Sequence, residues 1–383
     1  MQLKDEVQRR VVRTDHLAKQ YIPAALSRFG NTHIYVSSSM DLTEIRDIPK
    51  AGRGVIATQP IPSGTVILQS GSPAYHVIFA KYRKETCAWC FLWDRGRALP
   101  VRDGETSKVF CSGQCQSGWC EEQGDIGIEA WKSVASFVKS KAKGASDDEN
   151  MAEGGRPSPD AINDAWRQAE ESGEIIRRSR QNEAEGSQPT KADRKRVQAI
   201  LRSCTVLVDA DMLSYLLCGV LLHHSHSPLV DEIHRLAMDD QPYPTSYALD
   251  LACASYIQLL SILPPSLLPI LTPKLCLTMV RADNHNAFGI RGGGEDSEEY
   301  MGWAVYPSAS YFNHSCSPNL AKRRVGREWE FTTARDVDAG EECCITYLGG
   351  DEKGMDRAER QRRLKEVWGF DCGCERCRDE TVT

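Results

Sequence analysis

The chain has 383 residues, 41% hydrophobic and 26% charged, a composition that fits an ordinary globular protein of two or three domains or one core with insertions. Its 47 basic and 53 acidic residues leave a net charge of −6, which argues against a molecule that binds polyanions over its whole surface. The opening MQLKDEVQRRVVRTDHLAK is charged from its fourth residue and has no apolar core, so it does not read as a secretory signal; the fifteen cysteines are therefore read as metal ligands before disulfides.

Residues 1–30 read as an amphipathic leading helix, and 31–84 as short β runs (HIYVSS, RGVIAT, GTVILQS, AYHVIFA) punctuated by Gly and Pro. A cysteine-rich patch occupies 85–125. Residues 126–275 read as a helical insertion, with periodic stretches such as ADMLSYLLCGVLLHH. Within it, 143–196 is rich in Gly, Ser, Asp, Glu and Pro and is expected to be disordered, apart from a transient helix near 161–180. The apolar run 251–277 is broken by Pro264, Pro265, Pro269 and Pro273 and reads as a buried helix and turn, not a membrane span. β character returns over 276–349 (GWAVYPS, EWEFTTARDV, EECCITYL), and 350–383 closes the chain with a helix and a cysteine triplet. Neither β half is long enough to close a core alone, so one β fold split by insertions is expected.

Three groups of residues carry chemistry. Cys87 and Cys90 (CAWC) with Cys111 and Cys115 (CSGQC) are paired knuckles about twenty residues apart, the spacing of a zinc site, with Cys120 as a spare. The tail CGCERC supplies Cys372, Cys374 and Cys377, three corners of a second zinc tetrahedron, and Cys316 is the candidate for the fourth. Cys316 lies in ASYFNHSCSPNL (309–320), a cluster with neither helical nor strand period. Weaker signals flank these. AGRGVIAT (51–58) is either a hairpin turn or a turn that lets backbone approach a ligand. HHSH (223–226) ends an apolar helix, where histidine is favourable without a metal, and KADRKR (191–196) reads as a solvated helix start. Cys204, Cys218, Cys253, Cys276, Cys343 and Cys344 lie in apolar or strand-like runs and read as small core residues.

In order, GRGVIATQPIPSGTVI, NAFGI, VYPSASYFNHSCSPN, GEECCITYL and WGFDCGCERC resemble the motifs of the SET-domain protein lysine methyltransferases, closest to the branch carrying a MYND-type zinc finger and a post-SET tail. The resemblance runs from about residue 33 to 378. It implies an α+β, mainly β SET fold (β-clip, pseudoknotted), interrupted by a zinc finger and a helical insertion. The finger keeps only the half of the MYND pattern that makes one zinc site. By the same resemblance, Arg53, Asn286, Asn313, His314, Tyr347 and Phe370 would line S-adenosyl-L-methionine, Tyr347 would be the active-site tyrosine, and two structural Zn2+ sites are expected. Tyr306, Tyr311 and Phe312 are candidates for the channel. The implied reaction is methyl transfer to a lysine of a protein segment, a histone tail or a non-histone protein, in the nucleus or cytoplasm, with no direct nucleic-acid or membrane partner. The rivals are an inactive SET and zinc scaffold, which need not bind the cofactor, and a nucleic-acid-binding zinc protein. The second lacks a basic helix after the Cys87–Cys115 pairs.

Overall fold

The computed structural model describes residues 42–141, 155–205, 207–292, 299–349 and 353–380; the expected leading helix and HIYVSS strand lie outside them. The chain divides into two units: Met1–Gln69, Tyr311–Arg323 and Trp329–Thr383 form one, Ser70–Ser310 and Arg324–Glu328 the other.

In the first unit β1 (Thr43–Ile48) and β2 (Gly52–Ala57) form an antiparallel hairpin with Ile48 opposite Gly52. A sheet of order β3-β10-β9 follows, from Val66–Gln69, Glu328–Thr333 and Leu320–Val325, with the turn at 324–328 assigned to the second unit. EECCITYL does not form the expected strand; it pairs through isolated bridges, Ile56 with Glu342 and His314 with Ile345. A side chain explains the difference. The Asn319 amide accepts from Cys344 N at 2.8 Å and donates to Glu342 O at 2.8 Å, taking backbone groups that a ladder would use. Cys343 N donates to Val55 O at 2.8 Å while Ile345 N donates to Asn313 O at 3.0 Å. Residues 343–345 are thus bonded to segments from both ends of the domain, the interleaving that a pseudoknotted fold requires.

The second unit holds a sheet of order β4-β8-β7, from Tyr75–Ile78, Tyr300–Val305 and Ala287–Arg291, and a small hairpin of β5 (Val101–Asp103) and β6 (Lys108–Phe110). Its helices are α1 (Gly113–Lys141, kinked at Gly124), α2 (Pro159–Ala184), α3 (Lys191–Ser203), α4 (Ala210–His224), α5 (Leu229–His234), α6 (Ser246–Ile262) and α7 (Pro273–Asn286). Hydroxyl and carboxylate caps start most of them: Ser158, Thr190, Asp209, Thr245 and Thr272 each accept from backbone N–H groups of the first turn. With these helices, helix exceeds strand among the described residues, so the mainly β description applies to the SET core and not to the chain.

The expected disorder over 143–196 is overturned for its described part. Ile162, Trp166, Ala169, Gly173 and Ile176 recur at alternating four- and three-residue steps and are buried along one face of α2, which packs on α6. Trp166 Nε1 donates to Tyr243 Oη at 3.0 Å, and Arg180 donates to Leu260 O and Leu263 O at 3.1 and 2.8 Å. The polar composition belongs to the outer face of an amphipathic helix, which an average over the segment hides. The KADRKR start of α3 is closed by a capping box between Thr190 and Asp193. No helix among the described residues is long and apolar enough to cross a membrane.

Candidate active site and zinc centres

Among the described residues, two clusters bring three or more metal-type side chains together: Cys87, Cys90, Cys111 and Cys115, and Cys316, Cys372, Cys374 and Cys377. A zinc tetrahedron with Zn–S bonds of about 2.3 Å has S···S edges of about 3.8 Å. Cys90 and Cys115 lie 3.6 and 3.4 Å from Cys111, and Cys372 and Cys377 lie 3.9 and 3.6 Å from Cys316, so both quartets fit the ion. Hydrogen bonding among the thiols holds one member of each set well below the usual range, Cys87 through Cys90 and Cys374 through Cys316, which prepares a thiolate for a cation. Cys120 and the HHSH histidines stand outside these clusters.

The first quartet is built by local turns. Cys87 N donates to Leu92 O at 2.8 Å, and Cys115 sits in the first turn of α1. Trp89, between the first two cysteines, carries the Arg327 guanidinium 4.1 Å from its ring centroid. Arg327 in turn donates to both Glu122 oxygens, at 2.9 and 3.3 Å.

The second quartet adjoins the NHSC segment. Asn313 Nδ2 donates to Glu342 Oε1 at 2.8 Å and to Arg53 O at 3.2 Å. His314 is buried; its Nδ1 accepts from Tyr347 N at 3.0 Å, and its Nε2 lies 3.2 Å from Cys316 Sγ. Burial holds its imidazole down to about 4, so the ring is neutral at pH 7, with its proton on Nε2. Tyr347 donates its hydroxyl proton to Phe312 O at 3.0 Å, and burial lifts its phenol well above the ordinary tyrosine value. The rings of His314, Trp368 and Phe370 stand 5.4, 5.5 and 6.3 Å from that of Tyr347.

The GRG turn forms the hairpin, and its two glycines answer to different constraints. Gly52 has φ +75° and open space around it, the hairpin role. A Cβ on Gly54 would fall 2.5 Å from Glu342 Oε1 and 2.8 Å from Asn313 Nδ2, a close-approach role. Arg53, between them, stacks on Tyr311 at 5.0 Å.

Arg53, Asn313, His314, Tyr347 and Phe370 all belong to the first unit, while Asn286 ends α7 in the second, where its amide donates to Ala237 O and Ala282 O at 2.9 and 2.7 Å. Of the channel candidates, Phe312 packs edge-on against Phe331 at 5.0 Å, and Tyr306 gives its hydroxyl proton to Arg327 O at 2.7 Å. Sequence reasoning missed Trp368, two residues before Phe370, along with Asn319 and Glu342. An aromatic two positions from a singled-out aromatic, just ahead of the metal triplet, is the signal that would have found Trp368.

The SET domain description matches residues 52–348, more than half of the chain, and the chain belongs to the SET-domain family. It is 27% identical over 370 residues to "Potential protein lysine methyltransferase SET6" of Saccharomyces cerevisiae, covering 88% of this chain and 95% of that one. It is 34% identical over 148 residues to "Histone-lysine N-methyltransferase ASHR2" of Arabidopsis thaliana, 36% of each chain. Over 80 residues it is 36% identical to "Histone-lysine N-methyltransferase SMYD3" of Homo sapiens, 21% of this chain and 18% of that one. The chain therefore spans nearly all of the yeast relative and well under half of the other two.

Proposed function

We propose that the protein is a protein-lysine N-methyltransferase that uses S-adenosyl-L-methionine. The observation that carries this reading is the setting of Tyr347: its hydroxyl proton is engaged by Phe312 O, and its ring is flanked by His314, Trp368 and Phe370. S-adenosylmethionine would supply the methyl group from its sulfonium sulfur, in a direct displacement by the lysine nitrogen.

Arg53, Asn313, His314 and Phe370 would hold the cofactor. The substrate nitrogen must arrive neutral, because an ammonium has no lone pair; an apolar channel favours that form of a group whose ordinary pKa is about 10.4. Tyr347 is protonated at neutral pH, so it serves as an orienter and not as a base. With its proton turned to Phe312 O, the oxygen lone pairs remain to accept from the amine and from the polarised methyl. A zinc ion on Cys316, Cys372, Cys374 and Cys377 would order residues 370–378 and would have a structural, not a Lewis-acid, role. The substrate class is a lysine-bearing protein segment, with histone tails as one test set.

Calorimetric titration of the zinc-replete protein with S-adenosylmethionine, alongside Asn313→Ala, tests the cofactor site. Saturable binding that weakens in the variant supports the reading, and its absence in a folded, zinc-loaded protein favours the scaffold. On a verified substrate, Tyr347→Phe should lower the transfer rate more than it weakens cofactor binding; an unchanged rate removes Tyr347 from the mechanism.

A further inference from the structure

The helix α8 (Arg357–Trp368) precedes the cysteine tail and presents Arg357, Arg360 and Gln361 on one face, at the i, i+3, i+4 spacing that brings helical side chains together. All three grip the metal-binding cysteines. Arg357 Nε donates to Cys377 O at 2.9 Å. Gln361 brackets Cys372, donating to its carbonyl at 2.7 Å and accepting from its N–H at 2.8 Å. Arg360 differs from its neighbours because it reaches a sulfur: Nη2 lies 3.7 Å from Cys377 Sγ.

Arg360 is also fully buried, at 0% exposure. Its Nη1 donates to Met355 O at 2.8 Å and its Nη2 to Glu380 Oε2 at 2.6 Å, while Nε has no partner. A buried guanidinium is costly unless anions and acceptors surround it. Glu380 supplies one negative charge, but that carboxylate is 36% exposed and is shared with Arg376, 2.9 Å away. The remaining charge is that of the metal site. Four thiols binding one Zn2+ release four protons and leave a centre of net charge −2, which a low-dielectric surrounding opposes unless a cation lies close by.

We propose that Arg360 is a positioning residue of the post-SET zinc centre, whose fixed positive charge and N–H···S contact to Cys377 offset the charge of the zinc tetrathiolate and set its affinity for the metal. The inference rests on the reading of Cys316, Cys372, Cys374 and Cys377 as a zinc site, and not on the methyl-transfer activity. Arginine suits the task better than lysine because it stays charged and its planar fork serves the sulfur, the carboxylate and a carbonyl at once.

Zinc affinity and release are measured on the full-length protein by competition with a chromogenic chelator. The Cys87–Cys115 site serves as an internal control, and Cys374→Ser assigns the post-SET phase. Arg360→Gln should weaken the post-SET zinc by about 10- to 100-fold, the usual effect of removing an outer partner of a metal ligand, and leave the other phase unchanged. Arg360→Lys should recover part of the loss. Glu380→Gln, which frees the guanidinium charge for the sulfurs, should leave zinc binding as tight or tighter. If Glu380→Gln weakens zinc as much as Arg360→Gln, the pair is a plain tether and the charge role is refuted, even should Arg360→Gln fold poorly. Unchanged affinity in Arg360→Gln refutes it directly. A wild-type protein with no chelator-sensitive phase lost in Cys374→Ser overturns the zinc reading itself, and the proposal with it.

Discussion

Gly52 and Gly54 flank Arg53 for different physical reasons, and alanine separates them. At Gly54 a methyl would stand 2.5 Å from Glu342 Oε1, 2.7 Å from Ile48 Cγ1 and 2.8 Å from Asn313 Nδ2. Ile48, half-buried at the end of the hairpin, can turn its side chain aside, but the two polar atoms are bonded to each other. The methyl must therefore separate Glu342 from Asn313, whose hydrogen bond is 2.8 Å long. Overpacking costs about 1–3 kcal/mol, and the lost bond adds about 1 kcal/mol. At Gly52 only the backbone objects: φ is +75° with nothing within 4 Å, and alanine there costs about 1–2 kcal/mol. Gly54→Ala should thus lower the melting temperature by about 2–5 °C, and further than Gly52→Ala. It should also weaken S-adenosylmethionine binding, which Gly52→Ala should leave nearly intact. Glu342→Ala should relieve part of the Gly54→Ala loss, since the two sites are in contact. Differential scanning fluorimetry and calorimetric titration measure both effects. A Gly54→Ala protein that melts and binds as Gly52→Ala does would refute the close-approach role.

If a zinc ion on Cys316, Cys372, Cys374 and Cys377 orders the tail residues 370–378, chelating it should abolish cofactor binding and refilling should restore it; binding that survives chelation separates the tail from the site. Arg327→Ala should destabilise the protein by roughly 2 kcal/mol, since it removes the stack on Trp89 and a forked pair to Glu122, with Arg327→Lys between the two; a wild-type melt for Arg327→Ala would show the pairing to be incidental. Burial raises the Asp211 carboxyl from 3.8 to about 6 despite Arg83 at 2.7 Å, so the folded state holds this proton more tightly than the unfolded one and stability falls as pH rises from about 4 to 6, by up to about 3 kcal/mol. The melting-temperature advantage of Asp211→Asn should therefore grow over that window, and a constant difference refutes the shift.

Both zinc quartets were legible because coordination chemistry restricts which residues serve and how closely knuckles are spaced, so Cys316 could be assigned to a tail more than fifty residues away. Tyr347 and the NHSC segment were legible only through a resemblance, since no periodicity accounts for them. The EECCITYL error has a different origin. Period-two apolar spacing reports a pleated segment but not what pairs with it, and here the Asn319 side chain supplies bonds that a strand would have supplied. The reading of 143–196 failed by averaging. Five apolar or small residues at helical spacing are enough to dock α2, while the charged majority of the segment dominates its composition. Glu342 and Arg360 escaped notice because their importance comes from contacts that sequence distance conceals, whereas Trp368 had a local signal beside Phe370.

His314 shows why the motif needs a histidine two residues before its cysteine. The ring Nε2 of His314 comes within 3.2 Å of the Cys316 sulfur. The other nitrogen accepts the Tyr347 N–H at 3.0 Å, which places the ring proton on the side of the sulfur. A single imidazole therefore spans from a metal ligand to the backbone of the active-site candidate. The tail arrives at the same tyrosine independently, through Trp368 at 5.5 Å and Phe370 at 6.3 Å. A zinc ion held by Cys316, Cys372, Cys374 and Cys377 would then reach the tyrosine without taking part in the chemistry, because it would tie Cys316, which His314 contacts, to the tail cysteines that follow Trp368 and Phe370.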